Sequence, residues 1–206
     1  MTQAAALIEF YFDFASPFAW LIADGLNDLA TRHGREVTWR PILLFAVFKT
    51  QGLPPPMEAP AKRTYLLHDM LRSAQVYGVA YKHPTAFPAV SPLPARMFYA
   101  IERADPAMAR RFGYATLQAH YVHDRDITHP DVMADVADKL GLKGGDILAA
   151  ASGDGAKAAL RAAVEAATAK GMIGSPFVVI DNEPFFGADR LPHMDWWLRQ
   201  RASAES

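Results

Sequence analysis

The sequence contains no cysteine. Disulfides, thiolate metal sites and redox chemistry run on the chain's own thiols are therefore excluded. It has no excess of either charge. Its 21 Lys and Arg stand against 22 Asp and Glu, for a formal net charge of -1. Nothing basic is available to attract a phosphate backbone or anionic lipid, so neither nucleic acid nor a membrane surface is an expected partner. No run reaches the roughly 18 apolar residues of a bilayer span. The opening residues, MTQAAALIEFYFDF, lack a basic segment and meet acids early, so no secretory leader is expected and a cytoplasmic protein is the default. Beyond an alanine bias there is no low-complexity segment, and there is no internal repeat.

What remains suits one domain, or one domain with a large insertion: 206 residues, 51% hydrophobic. Residues 7–14, LIEFYFDF, read as a strand. Ser16 has the form of an N-cap with Pro17 at the first helical position, and the helix runs to about His33, closed by Gly34. EVTWRPIL, 36–43, reads as a second strand that ends near Pro41. After the stiff connection GLPPPMEAP, 52–60, helical patterns follow over 61–78, 93–104, 106–122, 130–140 and 144–151. The proline-rich 82–94 is a loop. The alanine-rich 156–170 is a further helix closed by Gly171. PFVVI and PFFG form two short strands about the turn DNE, and Asp189 caps a last helix to about Arg199. The order is β-α-β, a helical block, then α-β-β-α: an α/β, thioredoxin-like fold with a large all-helical insertion. We expect residues 1–45 and 152–206 to form the thioredoxin-like part and 46–151 the insertion.

Three short segments carry the chemistry. In FDFASPFAW, 12–20, Ser16 stands at a strand-to-helix turn. As a helix cap it needs no further function, and no adjacent base or G-x-S-x-G elbow marks it as a nucleophile. A helix start nevertheless stabilises an anion, and a thiolate brought by a cofactor is such an anion. In IGSPF, 173–177, Pro176 is either an ordinary strand-start proline or, in a thioredoxin-like fold, a cis-proline facing that helix. The backbone of Ser175 would then pair with a peptide-like ligand. In FFGADRL, 185–191, the helix start can take a carboxylate and Asp189 an ammonium.

FYFDFASPFAW, PAKRTYLL and IGSPFVVIDNEPFFGADRL, with the helical block between them, resemble the 2-hydroxychromene-2-carboxylate isomerase family. That family stands with kappa-class glutathione transferases and is related to DsbA-type oxidoreductases; the resemblance spans about residues 8–200. It implies a dimer with glutathione as cofactor, and Ser16 as the catalytic serine at the place where DsbA-like relatives keep a cysteine. It implies glutathione contacts at Lys62, Leu53, Ser175, Pro176, Ala188 and Asp189. It implies a small aromatic carboxylate substrate, isomerised by reversible thiolate addition to a conjugated C=C bond, with the Ser16 hydroxyl donating to the sulfur. Two positions depart from the pattern: Leu53 where relatives often have asparagine, and His68 where they often have arginine. Arg96 and Lys49 are looser candidates for the substrate carboxylate. The alternatives are a kappa-like transferase or peroxidase on the same site, and a non-catalytic thioredoxin-like module that binds peptides.

Other patterns are given structural readings. His120, His123 and His129 lack the H-E-x-x-H spacing, so no metal is expected. Phe10, Phe12, Phe14 and Trp20 read as core, Trp196 and Trp197 as anchors of the last helix, and Phe18 as core that, close to Ser16, could touch an aromatic substrate. Gly25 interrupts the first helix without an evident reason.

Overall fold

The computed structural model describes residues 7–204. The first six residues, part of the stretch read as lacking a leader, lie outside them. The apolar IEFYF forms β1 (Ile8–Phe12). Successive side chains of a strand point to opposite faces, and both Phe10 and Tyr11 are buried, so the sheet is covered on both sides. β1 pairs in parallel with β2 (Val37–Pro41) and antiparallel with β3 (Phe177–Ile180), which pairs antiparallel with β4 (Glu183–Phe186). The order across the sheet is β2-β1-β3-β4. The β3–β4 turn places Asp181 and Asn182 at φ 53° and 69°, the left-handed pair of a two-residue hairpin turn, which these two residue types tolerate. Arg35 grips the Asp181 carboxylate with two bonds of 2.8 Å, tying this turn to the end of the first helix.

Helices account for the rest: α1 (Pro17–Arg32), α2 (Leu44–Gln51), α3 (Pro60–Tyr77), α4 (Pro92–Glu102), α5 (Pro106–Tyr121), α6 (Pro130–Asp138), α7 (Gly144–Ala151), α8 (Asp154–Ala169) and α9 (Leu191–Ala204). Five of them, α1, α3, α4, α5 and α6, begin with proline at the first position, where a missing N–H removes nothing from the helix. α1 packs on α3, α5, α9 and β2, while α8 packs on α2 and β2. Inside, Trp39 of β2 meets Phe10 and Phe12 edge-on at 5.3 and 5.2 Å between ring centroids. Gly25 has its reason here: a Cβ would stand 3.1 Å from Leu191 Cδ1, so the missing side chain lets α9 close on α1.

The thioredoxin-like reading holds in order and type, with three corrections. The chain re-forms a helix at once after β2, so α2 was missed. Asp189 lies within a single 3-10 turn, Ala188–Arg190, whose preceding residue is Gly187, and its side chain makes no capping bond to the last helix. Phe87-Pro88 in the proline-rich loop is a second cis peptide, alongside Ser175-Pro176.

Candidate active site

β1 ends at Phe12, and the chain turns over Asp13-Phe14-Ala15 into α1. The turn is fixed twice from Asp13. Its carbonyl accepts the Ser16 amide at 2.9 Å, and its Oδ1 accepts the Ala15 amide at 2.9 Å. Ser16 therefore enters α1 extended, at φ -98° and ψ 108°. An N-cap serine ordinarily accepts from an amide of the first helical turn. This one does not. Its hydroxyl donates instead to the Ser175 carbonyl at 2.9 Å, across 159 residues of sequence.

The amides at this helix start are disposed for an anion. Pro17 has no N–H, and the Ala19 amide bonds the Ser16 carbonyl at 3.1 Å. The Phe18 amide has no acceptor among the described residues. Opposite, the cis Ser175-Pro176 bond presents the Ser175 backbone, whose amide likewise has no acceptor among the described residues. The Ser175 side chain is spoken for, since its Oγ accepts the Asp13 amide at 3.1 Å. Both serines are more than nine-tenths buried. The open Phe18 amide and the rotatable Ser16 hydroxyl thus stand at the positive end of α1, an arrangement suited to a thiolate, and the Ser175 amide is open on the segment across from them. A hydroxyl proton can turn from one acceptor to another without moving its oxygen.

From Pro176 the chain of contacts continues. Its carbonyl accepts the Gly187 amide at 3.1 Å, which sets the 3-10 turn beside the cis-proline. Gly187 sits at φ 111°, a conformation that side chains rarely adopt, and a Cβ there would meet Asp189 Oδ1 at 2.5 Å. Gly174 is required for a different reason: a Cβ would stand 2.2 Å from the Phe186 ring. Ala188 is buried, whereas the Asp189 carboxylate is two-thirds exposed and paired with Arg190 at 2.6 Å. The charges of Asp189 and Asp69 add to burial in raising the Tyr77 hydroxyl above its usual range, which places the end of α3 beside this turn.

The structure therefore brings Ser16, Ser175, Pro176, Ala188 and Asp189 into one connected set. It does not tie in Lys62 or Leu53. Lys62, in the first turn of α3, is exposed and has no ion-pair partner among the described residues. Leu53 is half-buried, and its amide is held by the Phe48 carbonyl at 2.9 Å, so its backbone donor is already used. His120 is buried, with Nδ1 on the Arg125 carbonyl at 3.0 Å, and is lowered in pKa chiefly by burial. His123 and His129 are exposed, and the described residues contain no cluster of three metal-ligating side chains. A groove of about 850 Å³ lined by Asp24, Asn27, Arg110, Arg111 and Tyr114, among others, shares no residue with the Ser16 set.

One member of the site escaped the sequence reading. Asp13 is buried, and burial pushes its carboxyl above the usual range against the downward pull of donors from Ser91, Ala15 and Leu44. Its signal was an acid between two phenylalanines in FDF, inside an apolar run where a carboxylate has no place unless it is held.

Comparison with known proteins agrees with this fold. The family model for the DSBA-like thioredoxin domain matches residues 7–197. The chain belongs to that family. Within it, the chain is similar to a 2-hydroxychromene-2-carboxylate isomerase of Sphingobium xenophagum, 29% identical over 93% of this chain and 97% of that one. It is similar also to glutathione S-transferase kappa 2 of Caenorhabditis elegans, 26% identical over 94% and 92%. A solved 2-hydroxychromene-2-carboxylate isomerase superposes with a TM-score of 0.82 at 26% identity, covering 97% of this chain and all of that one. This DSBA-like protein thus has relatives that are isomerases and glutathione transferases. No described helix is long and apolar enough to cross a membrane.

Proposed function

We propose that this DSBA-like protein is a glutathione-dependent isomerase of small, conjugated aromatic carboxylates, of the kind named by its isomerase relatives. The observation that carries the reading is the Ser16 hydroxyl, which leaves the capping role open and points at the residue before a cis-proline. When bound, glutathione supplies a thiolate that adds to a conjugated C=C bond, leaves a single bond free to rotate, and departs to restore the double bond.

Everything else is done by the chain. Ser16 turns its proton from the Ser175 carbonyl towards the sulfur and remains a hydroxyl throughout. The Phe18 amide and the positive end of α1 hold the same negative charge. The Ser175 amide and carbonyl flank the cysteinyl segment as an added strand would. Asp189 takes the γ-glutamyl ammonium, exchanging Arg190 for it, and Lys62 takes a carboxylate. Leu53 contributes apolar contact in place of a polar one. The second substrate lies against the helical block, residues 46–151, with Arg96 or Lys49 near its carboxylate. We propose a cytoplasmic homodimer, the dimer on the grounds of the family resemblance. A kappa-like transferase is the second reading, favoured by a relative of equal coverage with that name.

The deciding experiment is a glutathione titration that follows thiolate absorbance against pH. The expected result is binding with a thiol pKa well below that of free glutathione. Hydroxychromene carboxylates then separate isomerase from transferase, which would instead consume electrophiles. No binding, or an unshifted thiol, would leave a non-catalytic peptide-binding module.

A further inference from the structure

Asp13 is a buried carboxylate with no lysine, arginine or histidine paired to it among the described residues. Such a charge survives only where dipoles replace the lost water. Three separate segments supply them. Oδ1 accepts the Ala15 amide at 2.9 Å and the Ser91 hydroxyl at 2.5 Å, and Oδ2 accepts the Leu44 amide at 2.7 Å. Ser16 precedes α1, Leu44 opens α2 and Ser91 precedes α4. Three helix starts, each carrying partial positive charge, thus converge on one side chain.

The backbone of Asp13 is committed as well. Its carbonyl holds the Ser16 amide, and its amide holds Ser175 Oγ. Asp13 therefore touches both residues between which the Ser16 hydroxyl is shared. Through Ser91 it also grips the end of the proline-rich loop, within the helical block proposed to face the second substrate. Only a carboxylate meets this set of donors. An asparagine amide accepts through one oxygen alone, so it must turn an NH2 against Leu44 or against Ala15 and Ser91.

We propose that Asp13 is the positioning residue of the thiol site: it holds the Ser16 turn, the Ser175 backbone and the start of α4 in one register, so that the hydroxyl meets the sulfur and the helical block presents substrate to it. The proposal rests on the glutathione reading above. It assigns Asp13 no contact with glutathione or substrate.

The test uses the full chain and glutathione itself, at a temperature well below each variant's melting point. Asp13→Asn lowers turnover by about 10- to 100-fold, the scale of a misplacement near 1 Å. Ser91→Ala, the milder lesion, raises the bound-thiol pKa by about half a unit, roughly a threefold fall in the thiol's acid dissociation constant. It changes the glutathione Kd less than twofold, because the Asp189 end is untouched. Ser91→Thr, which keeps the hydroxyl, restores the bound-thiol pKa. A plain structural brace would lower the melting temperature and leave that pKa alone. That result in Ser91→Ala overturns the proposal, as does failure of Ser91→Thr to rescue. Should Asp13→Asn not fold, the Ser91 pair decides. An unshifted thiol in the unmodified protein overturns the glutathione reading and this proposal together. A shifted thiol in the unmodified protein that Ser91→Ala leaves in place overturns this proposal alone.

Discussion

The two ends of the site are built differently. At the Ser16 end every nearby polar group is bonded or aimed: the turn is pinned by Asp13, the hydroxyl by Ser175, and the serines are buried. At the Asp189 end the carboxylate is mostly exposed and shares a flexible neighbour, Arg190, while Lys62 stands in solvent on another helix. Ordering a long, exposed side chain costs about 1.5–2 kcal/mol of rotamer freedom. The exposed end therefore has to gain its order from the ligand, whereas the buried end already has it. The buried end is preorganised and the exposed end adaptable, which suits the proposed reading, in which the nucleophile arrives with the ligand.

The largest effect should come from breaking the ordered end. Ser16→Ala removes one donor to a developing or resident anion, and loss of such a donor lowers kcat by about 10²–10³-fold, or 2.7–4 kcal/mol. Glutathione should still bind, with its thiol pKa raised; an unchanged rate removes Ser16 from the mechanism. Gly174→Val attacks the support beneath that end. The new side chain cannot share space with Phe186, and overpacking of this kind costs about 1–3 kcal/mol of stability. Thermal unfolding checks it, and a wild-type melting temperature would mean that the Phe186 ring swings aside freely.

At the adaptable end the numbers shrink. Asp189→Asn should raise the glutathione KM by about 5- to 10-fold, close to 1 kcal/mol, with kcat held, as expected when uniform binding is lost. A fall in kcat instead would show that both ends act on the sulfur. Lys62→Ala should raise KM only about twofold at physiological salt, and the difference should fade at higher ionic strength. Smallest of all is a pH effect on the proline-rich loop, 82–94. Hydrogen bonds from Lys82 and Thr85 lower Asp124 from its ordinary 3.8 to about 2. A depressed carboxyl pKa stabilises the fold above the ordinary value and stops doing so as pH falls through the folded one. Protection against amide exchange in 82–94, taken relative to the intrinsic rate at each pH, should therefore fall from near pH 4 towards pH 2, and Asp124→Asn should remove that dependence.

How much of this could be read from residues alone depended on range. β1, α1 and the closing hairpin were legible because each is specified within a few positions: aromatic and β-branched runs, Ser-Pro at a helix start, Asp-Asn at a turn. α2 was not. Its start, Leu43-Leu44, carries no capping side chain, and its first five residues, LFAVF, extend naturally from a strand. Only Gly52, left-handed at its end, marked it. Ser16 and Pro176 were placed correctly as partners because the thioredoxin-like order predicts them face to face. The assignment of Asp189 as a cap failed because a 3-10 turn and a helix start share the same local residues. Asp13 went unread because its meaning lies in Leu44 and Ser91, donors that no local pattern connects to it.

The sheet order has a consequence for how the chain is made. β1 lies between β2, which follows it within thirty residues, and β3, which begins at Phe177. As the chain emerges from the ribosome, one edge of β1 therefore waits through the synthesis of seven helices with its backbone unpaired and Phe10 and Phe12 beside it. At about 5–20 residues per second that wait is on the order of ten seconds. An apolar strand with an open edge is a template for misassociation. The nascent chain, more than the finished protein, is thus the form of this molecule that carries an open apolar edge.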